Sequence, residues 1–217
     1  MNVYRYRLVF KRTAQARQMT QRDQMNFFRE LFSGVLPLAF FEKKAKLAFG
    51  PAISVGHESL CEYVDVCLEK RMGMKEMEEA LAASAASGFE LSAAKSIPLF
   101  FPSIEKSVAV TEYELFPGSE DAELETRMAE NMEKDEIIYR KEKASGEIKT
   151  TDLKKFVFSW KVTRPVFFVT LLLRHIQGVS VKPEAVLAAA GGYEGKVERI
   201  LRKRMYWIDS RGELVVL

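Results

Sequence analysis

Between Leu47 and Glu69 the chain passes through a Gly50-Pro51 turn, a second loop at Gly56 and then an apolar strand carrying Glu62, Tyr63 and Asp65. Helical patterns flank this stretch on both sides, and that flanking sets the order of elements. Upstream, Tyr4 to Phe10 alternates with period two, which puts Tyr4, Tyr6, Leu8 and Phe10 on one face of a strand and Arg5 and Arg7 on the other. Thr20 and Asp23 have the spacing of a capping box, and Met25, Phe28, Leu31 and Phe32 recur at helical intervals until Gly34 and Pro37. A second strand is expected in Leu38 to Phe49, interrupted by Glu42-Lys43-Lys44, and a third in Leu60 to Leu68. Met74, Met77, Leu81 and Ala85 form the stripe of a helix from about Met74 to Ala86, with Gly88 as its left-handed stop; Phe89 to Ile97 reads as the fourth strand.

This β-α-β-β-α-β order is the ferredoxin-like arrangement, in which two helices cover one face of a four-stranded antiparallel sheet and leave the other face needing a use. Pro98 and Pro102 bracket Leu99, Phe100 and Phe101, apolar residues that read as a connector, so one module is expected over residues 1–98 and a second over 99–217. The second half repeats the theme. Ser107 to Phe116 is a strand, and an acidic helix carrying Leu124, Met128 and Met132 follows Pro117-Gly118. Ile137 to Lys143, Leu153 to Thr163 and Val166 to Leu173 are strands, a helix with proline in its first turn begins at Lys182-Pro183 and ends at Gly191-Gly192, and Val197 to Ile208 is a long last strand. The expected class is therefore α+β, two tandem ferredoxin-like modules with antiparallel sheets, the second elaborated by an extra strand.

Several function classes find no support in these residues. Cys61 and Cys67 are the only cysteines and fall too far apart on one strand to pair. With His57 and His175 they show no metal-ligand spacing, so no metal or cofactor is expected. No serine elbow or cysteine motif accompanies the two histidines, so no catalytic triad is legible. The longest apolar run, Val166 to Leu173, is too short for a membrane span, and Met1 leads straight into an alternating strand without a signal-peptide core. A cytoplasmic protein without membrane association is expected.

Charge is divided along the chain. Residues 1–50 hold ten Lys and Arg against three acids, 151–217 hold twelve against six, and 51–150 hold eleven against twenty-one. If folding joins the two ends, one basic face results, suited to a phosphate backbone; the bland reading is solvated surface. Arg5, Arg7, Lys11 and Arg12 at one end, and Arg199, Arg202, Lys203 and Arg204 with the stacking surfaces of Tyr206 and Trp207 at the other, are the candidate nucleic-acid contacts. With Ile200, Leu201 and Met205 interleaved, an edge strand kept soluble by charge is the bland reading of the second group and outweighs nucleic-acid contact there. In the central loop Gly56 offers an amide to an anion, and Glu58 and Ser59 offer hydrogen bonds to a ligand, although a hairpin turn also explains them. Glu62 falls on the apolar face with Val64, Val66 and Leu68, so its carboxylate requires a partner: an arginine, or a role as general base. Asp65, on the opposite face with Tyr63, is expected against basic groups of the neighbouring strand.

Phe10-Lys11, Thr20-Gln21-Arg22-Asp23, Leu36-Pro37-Leu38, Phe49-Gly50-Pro51-Ala52, Val55-Gly56-His57-Glu58-Ser59 and Glu62-Tyr63-Val64-Asp65 occur in the order seen in the bacterial radical-SAM-linked protein family, a domain of unknown function. Lys182-Pro183-Glu184-Ala185-Val186-Leu187 and Arg202-Lys203-Arg204-Met205-Tyr206 resemble its closing segments. The chain looks like a divergent member. Where the family has a Ser-His-x-Asp helix start, this chain has Thr20-Gln21-Arg22-Asp23, and a shorter Phe41 to Lys46 segment replaces the Gly-Phe-Asn-Pro-His loop, so both family histidines are missing. The resemblance implies an accessory role beside a separate radical-SAM enzyme; this chain has no CxxxCxxC cysteines for an iron-sulfur cluster of its own.

The expected function is thus a non-catalytic RNA-associated accessory protein, with a radical-SAM enzyme and tRNA or ribosomal RNA as partners in RNA or ribosome maturation. Two alternatives remain open: an RNA-processing enzyme, endonuclease or RNA-modifying, on the tandem scaffold, for which His175-Ile176-Gln177-Gly178 is a weak motif, and an adaptor that binds protein through Leu99, Phe100 and Phe101.

Overall fold

The computed structural model describes residues 3–42, 44–142, 145–176 and 179–217. Lys43, Lys143 and the Gln177-Gly178 pair, on which expectations fell, lie outside the described residues. The chain divides into two units, Met1–Val108 with Leu217, and Ala109–Val216.

In the first unit the elements are β1 (Tyr4–Arg12), α1 (Gln21–Val35), the short β2 (Phe40–Phe41), β3 (Lys44–Ala45) and β4 (Leu47–Phe49), then β5 (Glu58–Leu68), α2 (Met74–Leu81), β6 (Phe89–Ile97) and α3 (Ile104–Ser107). β1 lies between β5 and β6, β4 pairs with β5, and every one of these pairings is antiparallel. The capping box appears as its residues predict: the Thr20 hydroxyl accepts from the Asp23 amide and Asp23 accepts from the Thr20 amide. Behind that cap α1 turns Phe28 and Phe32 onto Tyr6, Leu8 and Phe10 of β1 and Val64, Val66 and Leu68 of β5. The Phe28 ring sits 4.7 Å from Phe10 and 4.9 Å from Phe89, and Met77 and Leu81 of α2 close the same core.

Two expectations shift here. The stretch Leu38 to Phe49 is not one strand but β2, β3 and β4, consistent with the charged interruption at Glu42 to Lys44. The second helix ends at Leu81 and continues as a 3₁₀ turn, Ala82–Ser87, into Gly88 at φ +84°.

The connector lies over the Arg5 and Arg7 part of the other face of this sheet. Arg5 donates from Nη1 to the carbonyls of Leu99 (3.2 Å) and Phe101 (2.5 Å) and from Nη2 to that of Pro102 (3.2 Å), the Phe101 ring lies 5.8 Å from the Arg7 guanidinium, and Ile104 of α3 is fully buried. These bonds hold residues 99–108 to the first unit, so the division falls after Val108 rather than after Pro98.

The second unit runs β7 (Val110–Pro117), α4 (Leu124–Glu133), the hairpin of β8 (Ile138–Glu142) and β9 (Ile148–Asp152), then β10 (Val157–Thr163), β11 (Phe168–Arg174), α5 (Pro183–Gly191), β12 (Val197–Ile208) and β13 (Leu214–Val216). Its sheet order is β10-β11-β7-β12, with β13 on β12, again antiparallel throughout. Both units are therefore mixed α+β, and in each the first strand lies between the last long strand and the strand that precedes the second long helix. The expected Leu153 to Thr163 strand starts only at Val157, because a 3₁₀ turn, Lys154–Phe156, follows the unforeseen β9. Leu124 and Met128 of α4 and Val186, Leu187 and Ala190 of α5 bury against Tyr113, Leu115, Val169, Leu171 and Ile200. Among the described residues no helix is long and apolar enough to cross a membrane.

Candidate nucleic-acid interface

Most of the cations expected at the surface of the first unit are committed to its interior. Arg7 is buried and makes a two-point contact with Asp65, Nε to Oδ1 at 2.8 Å and Nη2 to Oδ2 at 3.0 Å, while Arg5 Nη2 meets Oδ2 at 2.6 Å. Asp65 thus takes the neighbouring-strand basic partners its position predicts. Arg12 is also buried: Nη1 donates to Gln24 Oε1 at 2.9 Å and Nη2 to the carbonyls of Arg17 and Met19. Gln24 Nε2 in turn donates to Glu62 Oε2 at 2.8 Å, so a neutral amide links the Arg12 cation to the Glu62 carboxylate. Of this group only Lys11 projects into solvent, 3.9 Å from Glu90.

The central loop is built differently from an anion cradle. Gly56 takes φ +90°, but its amide donates to the Arg17 carbonyl at 2.6 Å, and Ser59 is buried with its Oγ accepting from the Cys61 amide at 3.1 Å. Glu58 is half-buried at the start of β5. The Gly56 amide that a ligand would use is spent within the chain, and the buried Ser59 hydroxyl donates to Cys61 Sγ at 3.9 Å. Cys61 and Cys67 form no disulfide and are both buried, and burial raises the Cys67 thiol above its ordinary value. Among the described residues no group of three or more His, Cys, Asp or Glu side chains is arranged to hold a metal ion.

In the second unit Arg202 is buried with its guanidinium 6.0 Å from the centre of the Tyr113 ring, which removes it from the surface. The remaining basic residues of β12 stay at the sheet face. Lys203 reaches Glu114, Arg204 lies 4.0 Å from Glu112, and the Tyr206 hydroxyl donates to Glu112. Burial and that hydrogen bond raise the Tyr206 phenol, keeping it a neutral donor. Arg199 is exposed with its guanidinium 5.3 Å from the centre of the Phe116 ring.

Register extends this face across four strands. Side chains one residue apart point to opposite sides, and both long helices of the unit pack on the Tyr113/Leu115 side. The opposite side carries three cross-strand rows: Thr163, Phe168, Phe116 and Arg199; then Lys161, Thr170, Glu114 and Leu201; then Ser159, Leu172, Glu112 and Arg204. The Phe116 and Phe168 rings, on the two central strands, stand 5.5 Å apart at an interplanar angle of 30°. With Lys203, which bulges between Arg202 and Arg204, these three rows hold four basic residues against two carboxylates.

Phe116 and Phe168 were not singled out as site residues from the sequence. Phe116 precedes a Pro-Gly turn and Phe168 lies inside an apolar run, so only the alternation of Phe168, Thr170 and Leu172 against Val169, Leu171 and Leu173 separates a face from a core.

Among solved structures the chain is similar to one chain of the "Crystal Structure of a Cbf5-Nop10-Gar1 Complex", with 12% identity, a TM-score of 0.46 and 92% of the present chain covered. It spans about half, 48%, of that chain's length. No curated protein matches it. The family described as "Uncharacterized protein conserved in bacteria (DUF2344)" matches residues 5–183, most of the sequence, and the chain belongs to that family.

Proposed function

We propose that the protein is a non-catalytic RNA-associated accessory module, built from two ferredoxin-like units, whose second unit offers the helix-free side of its sheet to single-stranded RNA. The observation that carries this reading is the Phe116–Phe168 ring pair on the two central strands, with the Arg199 guanidinium over one ring and Lys161, Lys203 and Arg204 further along the same side. Four-stranded sheets of this topology bind unpaired bases by stacking them on aromatic side chains of the central strands while cations meet the phosphates. The proposed partner in the cell is a separate radical-SAM enzyme acting in RNA or ribosome maturation, with tRNA or ribosomal RNA as the bound nucleic acid.

The test is fluorescence anisotropy of a short unstructured oligoribonucleotide with the intact chain over a range of salt. Affinity falls steeply as salt rises, and Phe116→Ala and Phe168→Ala each weaken binding about tenfold, as loss of one stacked base requires. Absence of binding at low salt, or binding indifferent to both substitutions, overturns the reading.

One observation favours a second reading, an adaptor that docks protein. Phe100 is 89% exposed and Leu99 57%, on a segment whose backbone Arg5 fixes in place. Retention of a protein partner by wild type and its loss with Phe100→Ser, in the absence of any RNA binding, would support the adaptor instead.

A further inference from the structure

At one end of the second unit's sheet lies an open cleft of about 640 Å³, lined by Lys154, Lys155, Arg174 and His175 with apolar walls that include Val157 and Ile208. Among the described residues no acidic side chain lines it. We propose that this cleft is a binding site for a phosphate group, either of free phosphate or diphosphate or of the terminal phosphomonoester of a nucleic acid.

The basic groups are held by a built scaffold. Asp152 Oδ1 accepts from the amides of Ile137 (3.0 Å) and Lys154 (3.1 Å), and Phe156 donates to the Leu153 carbonyl at 3.0 Å, which pins the 3₁₀ turn that carries both lysines. Arg174 lies over the Phe158 ring at 4.8 Å, a contact that orients its guanidinium. His175 donates its amide to the Ala109 carbonyl at 2.8 Å, and its Nε2 is 2.7 Å from the Thr111 hydroxyl. Three cations line the cleft, one of them, Lys154, donating from Nζ to the Lys134 carbonyl, and Asp152 offsets part of the Lys155 charge at 3.4 Å. The balance of two positive charges suits a phosphate group. A planar guanidinium beside two flexible ammonium groups is the donor set that phosphate oxygens reward. His175 adds a polar ring without a further charge, since burial and the Arg202 cation hold its pKa down to about 4.

The site does not depend on the RNA reading, and the experiment separates them. Titration calorimetry of the intact chain with inorganic phosphate and with pyrophosphate is compared across wild type, Lys155→Gln, Arg174→Gln and Phe116→Ala. Saturable binding is expected, weakened about tenfold by each of the first two substitutions, as loss of a charge-assisted contact implies, and unchanged by Phe116→Ala. Oligoribonucleotides with a 5′-phosphate and a 5′-hydroxyl then identify the source. A preference for the 5′-phosphate that Lys155→Gln abolishes assigns the cleft to a nucleic-acid end, and equal affinity alongside retained pyrophosphate binding assigns it to a free ligand. Failure of both inorganic probes to bind, or binding indifferent to Lys155→Gln and Arg174→Gln, overturns the proposal while leaving the aromatic face to stand or fall by its own test.

Discussion

Arg7 on β1 and Asp65 on β5 face each other across the sheet in a parallel two-point ion pair, closed over by Arg5 and by the carbonyls of the connector. Asp65 is 3% exposed and Arg7 7% by side chain, so this pair lies where removing one partner leaves charge without compensation. Asp65→Asn is expected to destabilise the protein by about 3–5 kcal/mol in denaturant unfolding. Glu90→Gln, which removes the half-exposed partner of Lys11, shifts stability by less than about 0.5 kcal/mol. Equal effects of the two substitutions would show that the Arg5–Asp65–Arg7 cluster is no more than a surface ion pair.

Gln24 performs a task that few side chains can. Its carbonyl accepts from Arg12 while its amide donates to Glu62, both inside the first unit. Gln24→Leu is close in volume but makes neither bond, and removing one hydrogen bond from each of two buried charged groups costs about 3 kcal/mol. Thermal unfolding would register this as a lowered midpoint; a midpoint within a degree or so of wild type would mean that Arg12 and Glu62 do not rely on the amide.

Elements whose signal is local were legible in the sequence, and contacts made at long range were not. Thr20 and Asp23 announce their helix because both halves of the cap lie within one turn, and β6 and β12 begin and end where alternation and flanking turns place them. Asp65 and Glu62 were expected to need partners because each sits on a definite strand face. The cations misled for the same reason in reverse: composition registers Arg7, Arg12 and Arg202 as charge, while their burial is decided by partners as remote as Asp65, 58 positions from Arg7. Phe116 and Phe168 become a pair only once β7 and β11 are in register, which no window of sequence contains.

Gly88 and Gly34 should respond to alanine with opposite sign. Gly88 sits at φ +84°, and a Cβ there would fall 2.7 Å from the Ala16 amide nitrogen, a backbone atom that cannot swing away. Gly34 lies inside α1 with nothing within 4 Å of its would-be Cβ. Gly88→Ala therefore costs about 1–3 kcal/mol through left-handed strain and overlap, whereas Gly34→Ala stabilises by about 0.5–1 kcal/mol through helix propensity. Chemical denaturation of both variants decides the matter, and a neutral Gly88→Ala would contradict the close approach.

His175 gives the fold a dependence on pH whose direction follows from its surroundings. Burial, and secondarily the Arg202 cation, lower its pKa from 6.5 to about 4, so the unfolded chain binds this proton more readily than the folded one. The stability contributed by a neutral His175 is complete above pH 6.5 and is lost as pH falls from there towards about 4, where the folded ring also accepts the proton. The thermal midpoint of wild type should accordingly drop more steeply over that window than that of His175→Gln, which carries no titrating ring. Imidazole resonances followed by NMR give the direct measurement. A ring that titrates near 6.5 would show that neither burial nor Arg202 governs the histidine, and the slopes of the two proteins would then coincide.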